Sequence, residues 1–129
     1  MKKIVVSIQN GLLAEAITGM LNDSGEFQPF RIPVGNKKGV AVSSCEMLSA
    51  DILIAEVSYA GGTTVEARLR EVKDLRRKVP DCKIVLLCDE NSAPDIAREV
   101  TLAKKDGLID NFFYSSVTAK YLLAALVSL

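Results

Sequence analysis

The sequence predicts an α/β domain whose five-stranded parallel sheet is covered by helices on both faces. Short apolar runs rich in Val, Ile and Leu recur along the chain, as in KIVVSI (3–8), DILIAEV (51–57) and KIVLLC (83–88). Each run is followed by a segment with helical periodicity, so strand and helix alternate five times. Continuous apolar strands that alternate with helices are typical of a parallel sheet buried on both faces, and right-handed crossovers make it a doubly wound, three-layer sandwich.

Size and composition limit the functional classes. The 129 residues are 49% hydrophobic and 25% charged, which indicates a single globular domain over 1–129. Sixteen basic and sixteen acidic residues balance, so no net charge favours nucleic acid or anionic lipid. No apolar run approaches the ~20 residues of a membrane span. Three cysteines without paired spacing indicate reduced thiols and a cytoplasmic protein.

Missing residue types exclude further chemistry. The sequence has no histidine, so histidine-dependent triads, histidine metal sites and phosphohistidine transfer are excluded. Neither GxGxxG nor GxxxxGK[ST] occurs, so neither glycine-rich nucleotide motif is present. We therefore expect neither a cofactor nor catalytic activity.

The first half of the chain predicts two strand–helix units. A strand over 3–8 precedes a helix over 11–25, for which Asn10 is a suitable N-cap. A second strand over 27–34 contains Pro29 and Pro33, and prolines suit the edge of a sheet. A helix over 40–48 follows, although its intrinsic propensity is poor.

The second half predicts three more units. The strand over 51–57 is the strongest, and Thr63 and Glu66 form a capping box for a helix that ends near 78. We interpret the basic side of this helix as a solvated face; it carries Arg68, Arg70, Lys73, Arg76 and Arg77. A strand over 83–88, a helix from Pro94, a strand over 108–114 and a helix over 117–129 complete the pattern.

The five units and the carboxylate near the end of the third strand, ADILIAEV, resemble the receiver domain of bacterial response regulators (CheY-like) over essentially the whole chain. The resemblance implies a flavodoxin-like fold with strand order 2-1-3-4-5. In that family the third strand ends in an Asp that accepts a phosphoryl group, and two acidic residues after the first strand hold Mg²⁺ together with it. A Ser or Thr ends the fourth strand, and a Lys ends the fifth.

This sequence departs from the family at each of those positions. The matching residues are Glu56 for the acceptor, Ser7 and Ile8 (or Gln9) for the acidic pair, Cys88 for the hydroxyl, and Tyr114 or Ser115 for the lysine. Mg²⁺ prefers carboxylate, water and phosphate oxygens in octahedral geometry, so Glu56 beside Ser7 and Ile8 is a weak metal site. The resemblance thus implies an atypical receiver, a pseudo-receiver, in which Glu56 is not phosphorylated by the usual chemistry.

Three roles remain open for Glu56. It is a strand-end carboxylate that is solvated or bonded by amides near Gly61 and Gly62, a constitutive mimic of phospho-aspartate, or an acid–base or metal residue. Asp89 and Glu90 follow the fourth strand and either supply a metal ligand or cap the next helix. Cys88 is expected to be a core thiol, and Tyr114 could fill the space of the family lysine.

The resemblance also implies partners. In the family the face of the fourth helix, fifth strand and fifth helix binds a protein partner or a second copy, and a DNA-binding output domain often follows. The last helix, VTAKYLLAALVSL, is apolar around much of its circumference, which suits such contacts. The alternative function is a flavodoxin-like small-molecule or cofactor-binding domain with its site at the strand ends, although SIQNGLLAE lacks the residues that usually cradle a phosphate.

Overall fold

Strands and helices alternate along the chain in the predicted order. The computed structural model describes residues 1–34, 39–58, 63–88 and 94–129. Its elements are β1 (Lys2–Ser7), α1 (Gly11–Ser24), β2 (Phe27–Arg31), α2 (Val40–Leu48), β3 (Ile52–Val57), α3 (Val65–Lys78), β4 (Lys83–Cys88), α4 (Pro94–Lys105), β5 (Asn111–Tyr114) and α5 (Ala119–Val127).

The five strands form one parallel sheet in the order β2-β1-β3-β4-β5. This order confirms the predicted doubly wound topology. Pro29 lies on the edge strand β2, where it pairs with Ile4 of β1. An edge position suits proline because it has no N–H to donate to a neighbouring strand. At the other end of the strands, Val57 pairs with Cys88 and Cys88 with Tyr114.

The core consists of two layers because side chains alternate along each strand. One layer packs strand residues such as Leu53 and Leu86 against α2, α3 and α4. The other packs residues such as Val6 and Ile54 against α1 and α5. The helices therefore cover both faces of the sheet, and its carboxyl edge lies between the layers. None of the helices within the described ranges is long and apolar enough to cross a bilayer.

Helix termini follow local side-chain chemistry. The Asn10 side chain accepts a hydrogen bond from Leu13 N, which confirms Asn10 as the N-cap of α1. Gly25 ends α1 with φ 71°, a conformation that glycine adopts without strain. The N-cap of α3 is Thr64, whose hydroxyl accepts from Ala67 N. The prediction of Thr63 as the cap was wrong by one residue.

Candidate functional site

The candidate site lies at the carboxyl ends of β1, β3, β4 and β5, where parallel α/β sheets usually bind ligands. Ser7, Glu56, Cys88 and Tyr114 all lie at this edge because the strands are parallel and in register. The predicted roles of Gly61, Gly62, Asp89 and Glu90 fall on positions outside the described residues.

The Glu56 carboxylate is directed toward the loop between β1 and α1. Its Oε1 accepts a hydrogen bond from Gln9 N at 2.9 Å and one from Asn10 N at 3.3 Å. Both amides precede the first turn of α1, where the helix dipole favours a negative charge. The carboxylate is therefore bonded by loop amides, and these amides come from the first loop. The contact ties the end of β3 to the start of α1.

The Arg68 guanidinium reaches the same strand ends from α3. Its Nε donates to Glu56 O at 2.8 Å and its Nη2 to Ser7 O at 2.9 Å. Its Nη1 donates to Ser7 Oγ at 2.9 Å and to Glu71 Oε1 at 3.0 Å. Arg68 is only 3% exposed, so its interpretation as part of a solvated face was wrong. Burial is tolerated because its donors meet four oxygen acceptors.

The spacing along α3 contains a signal for the burial of Arg68. Val65, Arg68, Val72 and Leu75 are the buried residues of this helix, and their intervals of three, four and three residues define one face. The remaining basic residues behave differently. Arg70, Lys73 and Arg77 are exposed as predicted, whereas Arg76 is partly buried and pairs with Asp110 at 3.1 Å.

Ser7 and Ile8, at the positions of the family's acidic pair, are both buried. The Ser7 hydroxyl and carbonyl oxygens both accept hydrogen bonds from Arg68. Ile8 packs in the core layer beneath α1 and α5 and has no side-chain ligand atom. The polar residue of this pair is thus engaged with the protein's own cation.

Cys88, Tyr114 and Ser115 occupy the other half of the edge. Cys88 is buried, and burial raises the pKa of its thiol to about 11, which suits a core thiol better than a reactive one. Ser115 is exposed, and its N–H donates to Cys88 O at 2.8 Å. Tyr114 is 39% exposed, and its ring packs edge-on against Phe112 with centroids 6.0 Å apart. The Tyr114 ring therefore lies at the protein surface on the edge strand β5.

The described residues do not fit the Mg²⁺ ion that the receiver resemblance implies. One oxygen of the Glu56 carboxylate is bonded to amides, and the Ser7 oxygens are bonded to a buried guanidinium. A positive charge fixed at the strand ends opposes the approach of a divalent cation. Within the described ranges, no three His, Cys, Asp or Glu side chains are grouped as metal ligands would be.

Comparison with known proteins identifies the fold. No protein-family model and no curated protein sequence matches the chain. Among solved structures, a LuxR-family DNA-binding response regulator from Staphylococcus aureus has a TM-score of 0.76 and 12% identity, covering 99% of this chain and 98% of its own. The REC domain of AraT, a response regulator from Geobacillus stearothermophilus, has a TM-score of 0.71 and 16% identity, with coverages of 98% and 91%.

A third structure has the same fold but is not described as a response regulator. A candidate pilus assembly protein (cpaE) from Burkholderia thailandensis has a TM-score of 0.68 and 16% identity, with coverages of 99% and 97%. At such identities the similarity shows the fold only, and an activity has to be argued from the residues of the site. This chain therefore has the receiver fold of response regulators.

Proposed function

We propose that the chain is a receiver-like signal-transduction module of the two-component response-regulator type that acts through protein–protein contacts, without phosphorylation of Glu56. The observation that carries the proposal is the occupation of the strand ends by the protein's own groups. Glu56 Oε1 is bonded to the Gln9 and Asn10 amides, and Arg68 binds the oxygens of Ser7 and the Glu56 carbonyl.

Phosphoryl transfer to Glu56 is disfavoured for two physical reasons. The reaction requires cations that bind the transferring phosphoryl oxygens. The Arg68 guanidinium already donates to four protein oxygens, and the described residues lack the ligands for Mg²⁺. Glu is also one methylene longer than Asp, and phosphoryl transfer is sensitive to such displacements of the attacking atom.

The direction of the Glu56 side chain favours a structural role over mimicry of phospho-aspartate. In the family that this chain resembles, the face of the fourth helix, fifth strand and fifth helix carries the partner contacts. Here the carboxylate contacts lie at the start of α1, on the opposite side of β3 from β4 in the sheet order. We propose that Glu56 stabilises the loop between β1 and α1.

The proposed contact surface is the edge formed by α4, β5 and α5, which we call the β5 face. It exposes Leu102 (49%), Tyr114 (39%) and Tyr121 (64%). The Lys104 ammonium lies 5.8 Å from the Phe112 ring centroid on the same edge. Aromatic residues are enriched in protein interfaces, and β5 is an edge strand of the sheet. We propose that a protein partner or a second copy of the chain binds here.

A covalently joined output domain belongs to the same proposal. The Staphylococcus aureus regulator of this fold is described as DNA-binding. By analogy, we propose that a DNA-binding output domain acts with this module in the full-length protein. The alternative of a phosphate-containing cofactor at the first loop is less favoured, because the Gln9 and Asn10 amides already bind Glu56.

Phosphorylation is tested by incubating the domain with Mg²⁺ and acetyl phosphate and measuring its intact mass. A receiver domain that is known to autophosphorylate serves as the positive control. We expect the control to gain one phosphoryl group while this chain retains its mass. A phosphoryl adduct that maps to Glu56 would contradict the proposal.

The contact surface is tested by sedimentation analysis of self-association in the wild type and two charge variants. Y121E changes the β5 face, whereas M47E changes a residue on α2 that is more exposed than Tyr121, at 86% against 64%. If a second copy is the partner, Y121E weakens dimerisation and M47E does not. Dimerisation that M47E abolishes and Y121E leaves intact would contradict the β5 face.

A further inference from the structure

The four hydrogen-bond acceptors that the Arg68 guanidinium contacts are all oxygen atoms. Ser7 contributes a hydroxyl and a carbonyl, Glu56 contributes its carbonyl, and Glu71 contributes a carboxylate oxygen. The donor–acceptor distances lie between 2.8 and 3.0 Å. We call these four acceptors the oxygen cage. Two are backbone oxygens of neighbouring strands, so the sheet fixes their relative positions.

The chemistry of the oxygen cage suits a cation. Its oxygens all accept hydrogen bonds from Arg68, and Glu71 adds one negative charge close to the guanidinium. A planar guanidinium carries five N–H donors in a fixed fork, so it can serve several acceptors at once.

Helix α3 positions the Arg68 guanidinium within the oxygen cage. Val65, Val72 and Leu75 bury the same helical face as Arg68 and fix the helix against the sheet. Arg68 then extends from this face to the ends of β1 and β3 and is nearly inaccessible to solvent. The position of the cation is thus determined by the core packing of α3.

We propose that the oxygen cage is a cation-binding site for a guanidinium group, and that the chain fills it permanently with Arg68. The oxygen cage, with its Glu71 carboxylate, is therefore neutralised by the guanidinium of Arg68 and needs no metal ion. This inference rests on the contacts of Arg68 and does not require the proposed signalling function. It predicts that an emptied cage binds a free alkylguanidinium.

The test is chemical rescue of the R68A variant with ethylguanidinium, which replaces the atoms that the substitution removes beyond Cβ. Thermal unfolding is followed with increasing ethylguanidinium, and ethylurea serves as a neutral planar control. We expect ethylguanidinium to stabilise R68A, raising its folding equilibrium constant about elevenfold at ten times the dissociation constant. Wild type and R70A, whose Arg70 is exposed, should show no such stabilisation.

A second variant separates binding in the cage from general effects of the additive. In R68A/E71Q the cage loses its carboxylate, and we expect the affinity for ethylguanidinium to fall about tenfold. If R68A is unfolded alone, refolding in ethylguanidinium but not in ethylurea is the expected result. The proposal is overturned if ethylguanidinium neither stabilises nor refolds R68A, if ethylurea acts equally well, or if R70A responds as R68A does.

Discussion

Replacing Arg68 with alanine is expected to destabilise the domain strongly. The substitution removes the donor to Ser7 Oγ, Ser7 O and Glu56 O, and it leaves Glu71 without its cation. Breaking a buried ion pair by removing one partner costs roughly 3–5 kcal/mol. Glu71 is 20% exposed and regains some hydration, so we expect the lower end, about 3 kcal/mol. For a domain of this size, that loss lowers Tm by about 10 °C.

Urea and thermal unfolding monitored by circular dichroism measure this loss. R70A is the matched control because Arg70 is an exposed arginine on the same helix, and it should change the unfolding free energy by less than about 0.5 kcal/mol. R68K keeps the charge without the planar fork and should lie between the two variants. If R68A and R70A cost the same small amount, the assigned role of the Arg68 contacts is refuted.

Two further predictions concern the Glu56 and Cys88 positions. E56A removes the acceptor of two loop amides and should cost about 1–2 kcal/mol. Hydrogen exchange at Gln9 and Asn10 should accelerate in E56A and less so in E56Q, and unchanged exchange would contradict the contact. Burial raises the pKa of Cys88 from 9.0 to about 11, so the stability from the neutral thiol is complete below pH 9 and is lost as pH rises toward 11. C88A should remove up to about 3 kcal/mol of this pH-dependent loss; an identical alkaline stability profile for C88A and wild type would count against it.

The fold could be predicted because its determinants are local and repeated. Apolar strands and helical periodicity alternate along the sequence, and the observed α2 has the predicted bounds, Val40–Leu48. Its propensity is poor, but Ala41, Val42 and Cys45 are buried in the core, so tertiary packing stabilises it. Strand β5 begins at Asn111, later than predicted, because Gly107 adopts φ 78° and the Asp110 side chain accepts from Ile84 N.

The candidate site could be predicted only in part. Ser7, Glu56 and Cys88 lie at one edge of the sheet because the strands are parallel. The alternation of strands and helices in the sequence is enough to predict this arrangement. The role of Arg68 depends on acceptors 61 residues away in Ser7, and arginine is usually exposed. The spacing of Arg68 with the apolar residues of α3 indicated burial only weakly, compared with the general tendency of arginine to be exposed. The Gln9 and Asn10 amides that bind Glu56 belong to a loop, where side-chain periodicity gives no information.

The central claim is that this domain has the receiver fold without receiver phosphoryl chemistry. Amide NMR spectra recorded without additions, with Mg²⁺, and with Mg²⁺ and beryllofluoride test it most directly, since beryllofluoride mimics a phosphoryl group and requires both metal and carboxylate. We expect unchanged spectra in all three conditions. Shifts that begin around Glu56 and spread to Tyr114 and α5 would contradict it and would show a functional phosphoryl switch.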